Sequence, residues 1–262
     1  MSMDATMPAP QTWEPRSLVD APARGLEDAE LHFWLLPLEL PAATLENLTK
    51  SLTAEELARA SRYRFERDRR HFIAARSLLR DLVGRYAGVP SDGIRFRLSS
   101  HGKPSIDAGS GLTKLEFNLS HSGEWALAGF ARGSSVGVDI ELARDMPDLI
   151  DVARNTFSAG EAALIEGMRA DQQVNGFFRC WTRKESYVKA VGAGFSLDLK
   201  AFDVTVDQPL HIDRIRNIES GLKYKVEGVR PLPGYWAATA VEMPERVDAR
   251  ANRSSKYFTL AT

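Results

Sequence analysis

The chain has 262 residues, of which 44% are hydrophobic and 26% are charged, and its formal net charge is −1. It is long enough to bury the core of one large domain or two small ones. The balanced charge argues against nucleic-acid binding through overall charge. The absence of a run of about 18 apolar residues argues against a membrane span, and we expect no membrane partner. Cys180 is the single cysteine, and the N-terminal residues lack a signal-peptide pattern, so we expect a cytoplasmic protein without disulfides.

Hydrophobic periodicity predicts a series of helices and strands in the first half of the chain. In order, they are a strand at 31–40, a short helix at 44–50, a helix from 53 to about 63, a long helix at 69–87, a strand at 94–98, and a hairpin of strands at 115–122 and 125–130. Thr53 and Glu56 match the sequence pattern of a capping box. Residues 1–28 contain four prolines and little periodicity, which predicts a poorly ordered leader.

The second half of the chain shows a similar order of elements. They are a strand at 136–141, a short helix at 148–153, a helix starting at Ser158, a long helix at 171–191, and strands at 202–206, 224–229 and 235–241. Residues 246–262 form a polar tail for which we predict no regular structure.

These elements repeat at a fixed offset. Leu31 and Val136 at strand starts, Thr53 and Ser158 at caps, and Phe72 and Phe177 in the long helices are each 105 positions apart. Three matches at one offset predict two similar α+β halves, residues 29–133 and 134–245. Because ligand sites favour interfaces between domains, we expect the site between the halves.

Arginines are concentrated in the first half. Residues 59–103 contain 11 arginines and one lysine against four acidic residues. This excess is explained either by a solvated helix face or by a surface that receives a multiply charged anion such as a nucleotide phosphate.

Carboxylates occur at two places in the second half. Asp139 and Glu141 are two residues apart on a strand, so they point the same way. Trp181, Glu185 and Lys189 lie at i, i+4 and i+8 on a predicted helix and therefore share a face. The strand pair is either an exposed strand end or, together with Glu185, a hard oxygen site for Mg²⁺.

Two further segments are each either structural or part of a binding site, and for Lys103 the structural alternative is a surface turn. His121 lies between Ser120 and Ser122, which are not in a Gly-x-Ser-x-Gly turn, so His121 is either structural or a phosphate donor rather than part of a nucleophilic site. Lys103 lies in a Gly102–Pro104 turn without the P-loop pattern.

Several of these segments, in order, resemble the Sfp-type 4′-phosphopantetheinyl transferases. They are Phe72-Ile73-Ala74-Ala75-Arg76, His101-Gly102-Lys103-Pro104, Asn118-Leu119-Ser120-His121-Ser122, Gly137-Val138-Asp139-Ile140-Glu141, and Phe178 with Trp181-Thr182-Arg183-Lys184-Glu185-Ser186-Tyr187-Val188-Lys189. The resemblance covers about residues 30–205. It implies a pseudo-dimer of two α/β subdomains with the active site between them. The implied reaction transfers phosphopantetheine from coenzyme A to a serine of an apo acyl or peptidyl carrier protein and releases 3′,5′-ADP.

The resemblance also implies roles for individual residues. Asp139, Glu141 and Glu185 would hold Mg²⁺, or Mn²⁺ in its place, and Glu185 would be the general base, directly or through a metal-bound water. Phosphate contacts would come from Lys189 and His121, and the coenzyme A pocket would also include Lys103, Ser120, Arg59 and Arg76. Trp181 would lie near the pantetheine arm or in the core. We expect a monomer that binds no nucleic acid.

Two other functions use the same residues. The first is a Mg²⁺-dependent phosphohydrolase acting on a nucleotide-like substrate, which would turn over coenzyme A without a carrier. The second is a non-catalytic module that binds coenzyme A without transfer.

Overall fold

The structure is a computed structural model that describes residues 12–17, 26, 30–98, 104–106, 114–192, 194–243 and 254–261. These residues divide into two compact units. The first unit comprises the described residues of Trp13–Ser134 and the C-terminal residues 254–261. The second unit comprises the described residues from Ser135 to Met243.

The first unit contains seven strands. They are β1 (Trp13–Arg16), β2 (Glu30–Pro37), β3 (Phe96–Leu98), β4 (Pro104–Ile106), β5 (Leu115–Ser122), β6 (Trp125–Arg132) and β11 (Ser254–Leu260). Five of them form a sheet in the order β1-β11-β2-β6-β5, and β3 pairs with β4. β5 and β6 form the predicted antiparallel hairpin, and β6 also pairs with β2.

Three helices complete the first unit, namely α1 (Ala42–Thr49), α2 (Ala54–Ala60) and α3 (Glu66–Ala87). The predicted capping box starts α2, because the Glu56 N–H donates to Thr53 Oγ1 and the Thr53 N–H donates to Glu56 Oε2. The apolar face of α3 is buried in one core with side chains of the sheet, including Trp34. Gly88, with φ 69°, ends the helix in the left-handed conformation that glycine adopts most easily.

The second unit contains four strands and three helices. They are β7 (Val136–Leu142), α4 (Leu149–Thr156), α5 (Ala159–Glu166), α6 (Ala170–Val191), β8 (Ile212–Arg216), β9 (Lys223–Val229) and β10 (Tyr235–Met243). The strands form an antiparallel sheet in the order β7-β10-β9-β8, and α6 packs on β7 and β10. None of the described helices combines the length and the apolar character needed to cross a membrane.

The two units repeat one pattern of elements. In each unit one strand, β2 or β7, is followed by two short helices and one long helix. A later hairpin, β5–β6 or β9–β10, then returns so that its second strand pairs with β2 or β7. Both long helices have 22 residues and end at a left-handed glycine, Gly88 or Gly192. The predicted fold class, an α+β protein of two similar subdomains, is confirmed.

The leader and the tail are more ordered than the sequence predicts. Within residues 1–28, Trp13–Arg16 forms β1, and within residues 246–262, Ser254–Leu260 forms β11. β11 lies between β1 and β2 and runs parallel to both, with Tyr257, Phe258 and Leu260 buried. The prediction fails because the pairing partners of β11 are distant along the chain, and strand formation depends strongly on such tertiary contacts.

The predicted strand at 202–206 is also wrong. Its apolar residues are packed against the core of the second unit, but side chains bind its backbone in place of a neighbouring strand. The Val204 N–H donates to Glu161 Oε1 at 2.8 Å, and the Thr205 carbonyl accepts a hydrogen bond from Arg183 at 2.7 Å. The fourth strand of this sheet is instead β8, an edge strand whose polar sequence gives little signal.

Candidate active site

Gly137 on β7 determines how closely α6 approaches the sheet. A Cβ atom at this position would lie 2.1 Å from the Ser186 carbonyl oxygen and 2.3 Å from the Ala190 backbone nitrogen. Side chains do not tolerate such distances, so only glycine lets the helix backbone rest directly on the strand. The close packing brings the C-terminal turns of α6 beside Asp139, two residues further along β7.

Asp139 and Lys189 form an ion pair across this contact. Lys189 Nζ donates to Asp139 Oδ1 at 2.6 Å. The Asp139 side chain is 3% exposed and the Lys189 side chain is 28% exposed. A buried carboxylate is stable only with a compensating charge or hydrogen bonds, and Lys189 provides a charge that remains accessible from solution.

Glu185 lies one helical turn before Lys189. Burial raises the pKa of Glu185, Lys189 opposes that shift, and the nearby charges of Asp139 and Glu141 add to it. The predicted face is correct, because Trp181, Glu185 and Lys189 are the residues between positions 181 and 190 of α6 that are not fully buried. The structure therefore brings together Asp139, Glu141, Glu185 and Lys189 within the second unit.

These carboxylates are suitable ligands for a hard cation, although they do not by themselves form a complete coordination shell. Among the described residues, no group of three or more His, Cys, Asp or Glu side chains is arranged to hold a metal ion. Mg²⁺ usually takes only one or two protein carboxylates and completes its shell with water and substrate phosphates. Burial raises the pKa of Glu185, and the negative charges of Asp139 and Glu141 add to that shift. A divalent cation would offset this concentration of negative charge, so the residues present fit Mg²⁺ in charge and donor type.

The opposite face of α6 is structural. Lys184 is fully buried, and its amino group contacts Glu161 Oε2 at 2.8 Å and donates to the carbonyl oxygens of Leu199 and Phe202 at 2.7 and 2.5 Å. Glu161 is also the capping-box glutamate of α5. The sequence analysis included Lys184 in the segment that resembles the family but gave it no role. The cap at Ser158, whose capping-box glutamate is Glu161, was the signal that could have suggested the partner of Lys184.

Trp181 is part of the core rather than an isolated ligand contact. Its ring is stacked with Phe177 at 6.0 Å between centroids and meets Phe157 at 6.3 Å. Of the two interpretations given by the sequence, these contacts favour packing. Cys180 is fully buried, and burial raises the pKa of its thiol, which agrees with a small packed side chain.

The remaining candidates belong to the first unit. Arg76 is paired with Glu56 at 2.5 Å and lies 4.2 Å from the centroid of the Phe96 ring, whereas the exposed Arg59 lies 5.2 Å from the centroid of Phe72. On β5, Ser120 is buried and His121 is exposed. Lys103 is outside the described residues, so the structure gives no position for it.

Comparison with known proteins assigns the chain to a family. The family model for the 4′-phosphopantetheinyl transferase superfamily matches residues 135–240, and the model for the N-terminal region of 4′-phosphopantetheinyl transferases matches residues 41–131. These two segments correspond to the two structural units. The chain belongs to the 4′-phosphopantetheinyl transferase superfamily and is an enzyme of that class, which confirms the resemblance seen in the sequence.

Individual relatives support the assignment. The chain is 37% identical to the 4′-phosphopantetheinyl transferase HetI of Nostoc sp. over 185 residues, which is 71% of this chain and 76% of that protein. It is 28% identical to the 4′-phosphopantetheinyl transferase Sfp of Bacillus subtilis over 200 residues, 76% of this chain and 86% of Sfp. It is 29% identical to the L-aminoadipate-semialdehyde dehydrogenase-phosphopantetheinyl transferase of Mus musculus over 172 residues, 63% of this chain and 55% of that protein.

Proposed function

We propose that this enzyme transfers the 4′-phosphopantetheine group of coenzyme A to a serine hydroxyl of an apo acyl or peptidyl carrier protein. A bond forms between the serine oxygen and the β-phosphorus of the coenzyme A pyrophosphate. The bond from that phosphorus to the bridging oxygen breaks, and 3′,5′-ADP leaves with the electron pair. The reaction is Mg²⁺-dependent in this proposal.

The observation that carries the proposal is the group of three carboxylates and one lysine on β7 and α6. It lies within the segment matched by the superfamily model. Attack on a pyrophosphate brings negative charge together, so positioning and electrostatic stabilisation supply most of the catalysis. An accessible lysine beside a partly buried carboxylate cluster suits that task, because the lysine attracts phosphate oxygens while the carboxylates attract a cation.

Asp139, Glu141 and Glu185 would hold Mg²⁺, which when bound would neutralise charge on the pyrophosphate. Lys189 donates a hydrogen bond to a phosphate oxygen of the substrate, so that its ammonium group is shared between Asp139 and the substrate. Glu185 accepts the proton of the attacking serine as the general base. Asp139 orients Lys189 through their ion pair.

Candidate contacts with coenzyme A are also proposed among residues of the first unit. Arg59 is a better candidate for the 3′-phosphate than Arg76, because Arg76 is already paired with Glu56, whereas no ion pair of Arg59 is found among the described residues. Ser120, His121 and Lys103 remain proposed pocket residues. The expectations of a cytoplasmic monomer without nucleic-acid or membrane partners rest on the sequence alone.

The test is incubation of the purified enzyme with coenzyme A, Mg²⁺ and a panel of apo acyl and peptidyl carriers. Mass spectrometry should show that at least one carrier gains the mass of one phosphopantetheine group, and chromatography should show an equal amount of 3′,5′-ADP. Turnover of coenzyme A without a carrier would instead support a phosphohydrolase. Binding of coenzyme A without turnover would support the non-catalytic module.

A further inference from the structure

Exposed apolar side chains cluster where α2 leads into α3. Every residue from Ser61 to Arg69 is exposed, and we refer to this segment as the α2–α3 link. Phe65 is 60% exposed, and Tyr63 and Leu57 are each 38% exposed. Tyr63 and Phe65 lie within the link, and Leu57 lies just before it in α2. Together they are half of the six large hydrophobic side chains that the described residues expose, so the link and the end of α2 carry apolar surface of the kind that proteins use for contacts with partners.

Folding of the first unit does not explain Phe65. The residue occupies the N-cap position of α3 and forms no side-chain cap. The preferred residues at this position are Ser, Thr, Asp and Asn, because their side chains accept hydrogen bonds from the first turn. α2 and α5 follow that rule with Thr53 and Ser158. Phe65 therefore provides neither a cap nor a buried ring within its own unit.

The link is held in a defined conformation. The Tyr63 ring lies 5.4 Å from the Phe72 ring, and the Arg69 N–H donates to the Phe65 carbonyl oxygen at 3.1 Å. A preformed surface loses little conformational entropy when a partner binds. The backbone of Phe65 is thus held in a defined place, with its ring exposed.

The same link is positively charged. Arg62 and Arg64 flank Tyr63, and neither forms an ion pair with another described residue, while the Arg64 guanidinium lies 5.4 Å from the centroid of the Phe65 ring. Glu66, by contrast, is already neutralised by Arg69 at 2.9 Å. A matching partner would therefore present acidic side chains around an apolar one, since arginine and aromatic residues are enriched in protein interfaces.

We propose that the α2–α3 link is a docking surface for the carrier protein, which would bring an acidic helix with at least one apolar side chain against Phe65, Arg62 and Arg64. This inference rests on the proposed function, since the carrier is the protein substrate of the reaction. Arg62 and Arg64 could instead bind the phosphates of coenzyme A. Kinetics can distinguish the two ligands, because loss of a docking surface for the carrier alters only the KM for the carrier.

The test compares two variants of the link. Phe65→Ser removes the exposed ring and supplies a cap for α3, and a second variant combines Arg62→Glu with Arg64→Glu. Each should raise the KM for an acidic apo acyl carrier protein about tenfold, as expected for the loss of an interface anchor. The kcat and the KM for coenzyme A should be unchanged, and the thermal midpoint of Phe65→Ser should be equal to or above that of the wild type.

Matched controls lie in the second unit. Ile218 is 86% exposed and Arg214 is an exposed arginine of β8, so Ile218→Ser and Arg214→Glu should leave both KM values unchanged. An unchanged KM for the carrier in the link variants would overturn the docking proposal, and a rise confined to the KM for coenzyme A would assign the link to that substrate instead. Absence of any transfer by the wild-type enzyme would be a failure of the proposed function itself.

Discussion

At the scale of single residues, the proposed chemistry depends most on Glu185. We expect Glu185→Gln to reduce the rate of transfer at least about a hundredfold, because the variant loses both a general base and a carboxylate of the cation site. Stability should not fall, since burial already disfavours the charged form of Glu185. Single-turnover transfer and thermal unfolding would measure the two effects. Glu219, an exposed residue, offers the control Glu219→Gln, and a rate equal to that of the wild type in Glu185→Gln would refute the assignment.

Lys189 should act mainly on binding. Lys189→Met keeps the length of the side chain but removes the charge, so the affinity for coenzyme A should fall about tenfold or more, as for the loss of a charge-assisted contact with phosphate. Isothermal titration calorimetry would measure this fall directly. Lys189→Arg should retain part of the affinity, and Lys200→Met, at an exposed site, should have no effect. An unchanged binding isotherm for Lys189→Met would contradict the phosphate role.

At the scale of elements, the contact between α6 and β7 depends on Gly137. In Gly137→Ala the new methyl group would overlap the backbone of Ser186 and Ala190, so the helix must move away from the strand. We expect the free energy of unfolding to fall by about 1–3 kcal/mol or more and the transfer activity to be lost, because Lys189 is carried away from Asp139. Urea denaturation and transfer assays would measure both.

The control for Gly137→Ala is a glycine with space around it. A Cβ atom added at Gly160 in α5 would lie 4.0 Å from Ser158 Oγ, which is ordinary van der Waals contact. Gly160→Ala should therefore leave the transfer activity intact. Its free energy of unfolding should be unchanged or rise by up to about 1 kcal/mol, because alanine has a higher helix propensity than glycine. Equal stability of Gly137→Ala and the wild type would show that α6 does not rest on β7 as described.

The five-stranded sheet contains a buried histidine that makes its stability depend on pH. Trp34 Nε1 donates to the Tyr86 hydroxyl at 2.8 Å, and that hydroxyl lies 2.7 Å from His32 Nδ1, where a neutral His32 ring can accept the hydroxyl proton. Burial lowers the pKa of His32 from 6.5 to about 4, with Glu30 opposing the shift and Lys256 and Arg16 adding to it.

Below pH 6.5 the unfolded chain therefore binds a proton that the folded chain resists, and stability is lost as the pH falls from 6.5 towards 4. We expect this residue alone to reduce the free energy of unfolding by about 2 kcal/mol between pH 7 and pH 5. His32→Asn keeps an acceptor for Tyr86 but cannot titrate, so its unfolding curves should depend less on pH over this interval. The same pH dependence in the variant and the wild type would contradict the buried neutral state of His32.

At the scale of the whole molecule, the sequence predicts the repeated units well, because each is built from long amphipathic helices and local hairpins. The helix caps at Thr53 and Ser158 are short-range signals, and the structure contains both. The strand β11 could not be predicted in the same way, since its partners are distant in the chain. The loop at 202–206 was predicted wrongly because side chains from α5 and α6 bind its backbone.

In the candidate site, too, local sequence patterns predict some features, whereas others depend on tertiary packing. Periodicity alone placed Glu185 and Lys189 on one accessible face, and the alternation of β7 paired Asp139 with Glu141. The close approach of the α6 backbone to Gly137 and the buried contacts of Lys184 both depend on how α6 packs. No local sequence pattern therefore predicts them. The resemblance made Arg76 a candidate for the coenzyme A pocket, but its ion pair with Glu56 depends on the packing of α2 against α3, which no local pattern shows.

The carboxylates and the lysine of the second unit are proposed to transfer phosphopantetheine to a carrier serine. The most direct measurement is the intact mass of one apo acyl carrier protein after incubation with coenzyme A, Mg²⁺ and either the wild-type enzyme or Glu185→Gln. We expect a gain of one phosphopantetheine mass with the wild type, no gain in a carrier whose serine is replaced by alanine, and almost none with Glu185→Gln. Equal modification by the wild type and Glu185→Gln, or modification of the carrier without its serine, would contradict this proposal.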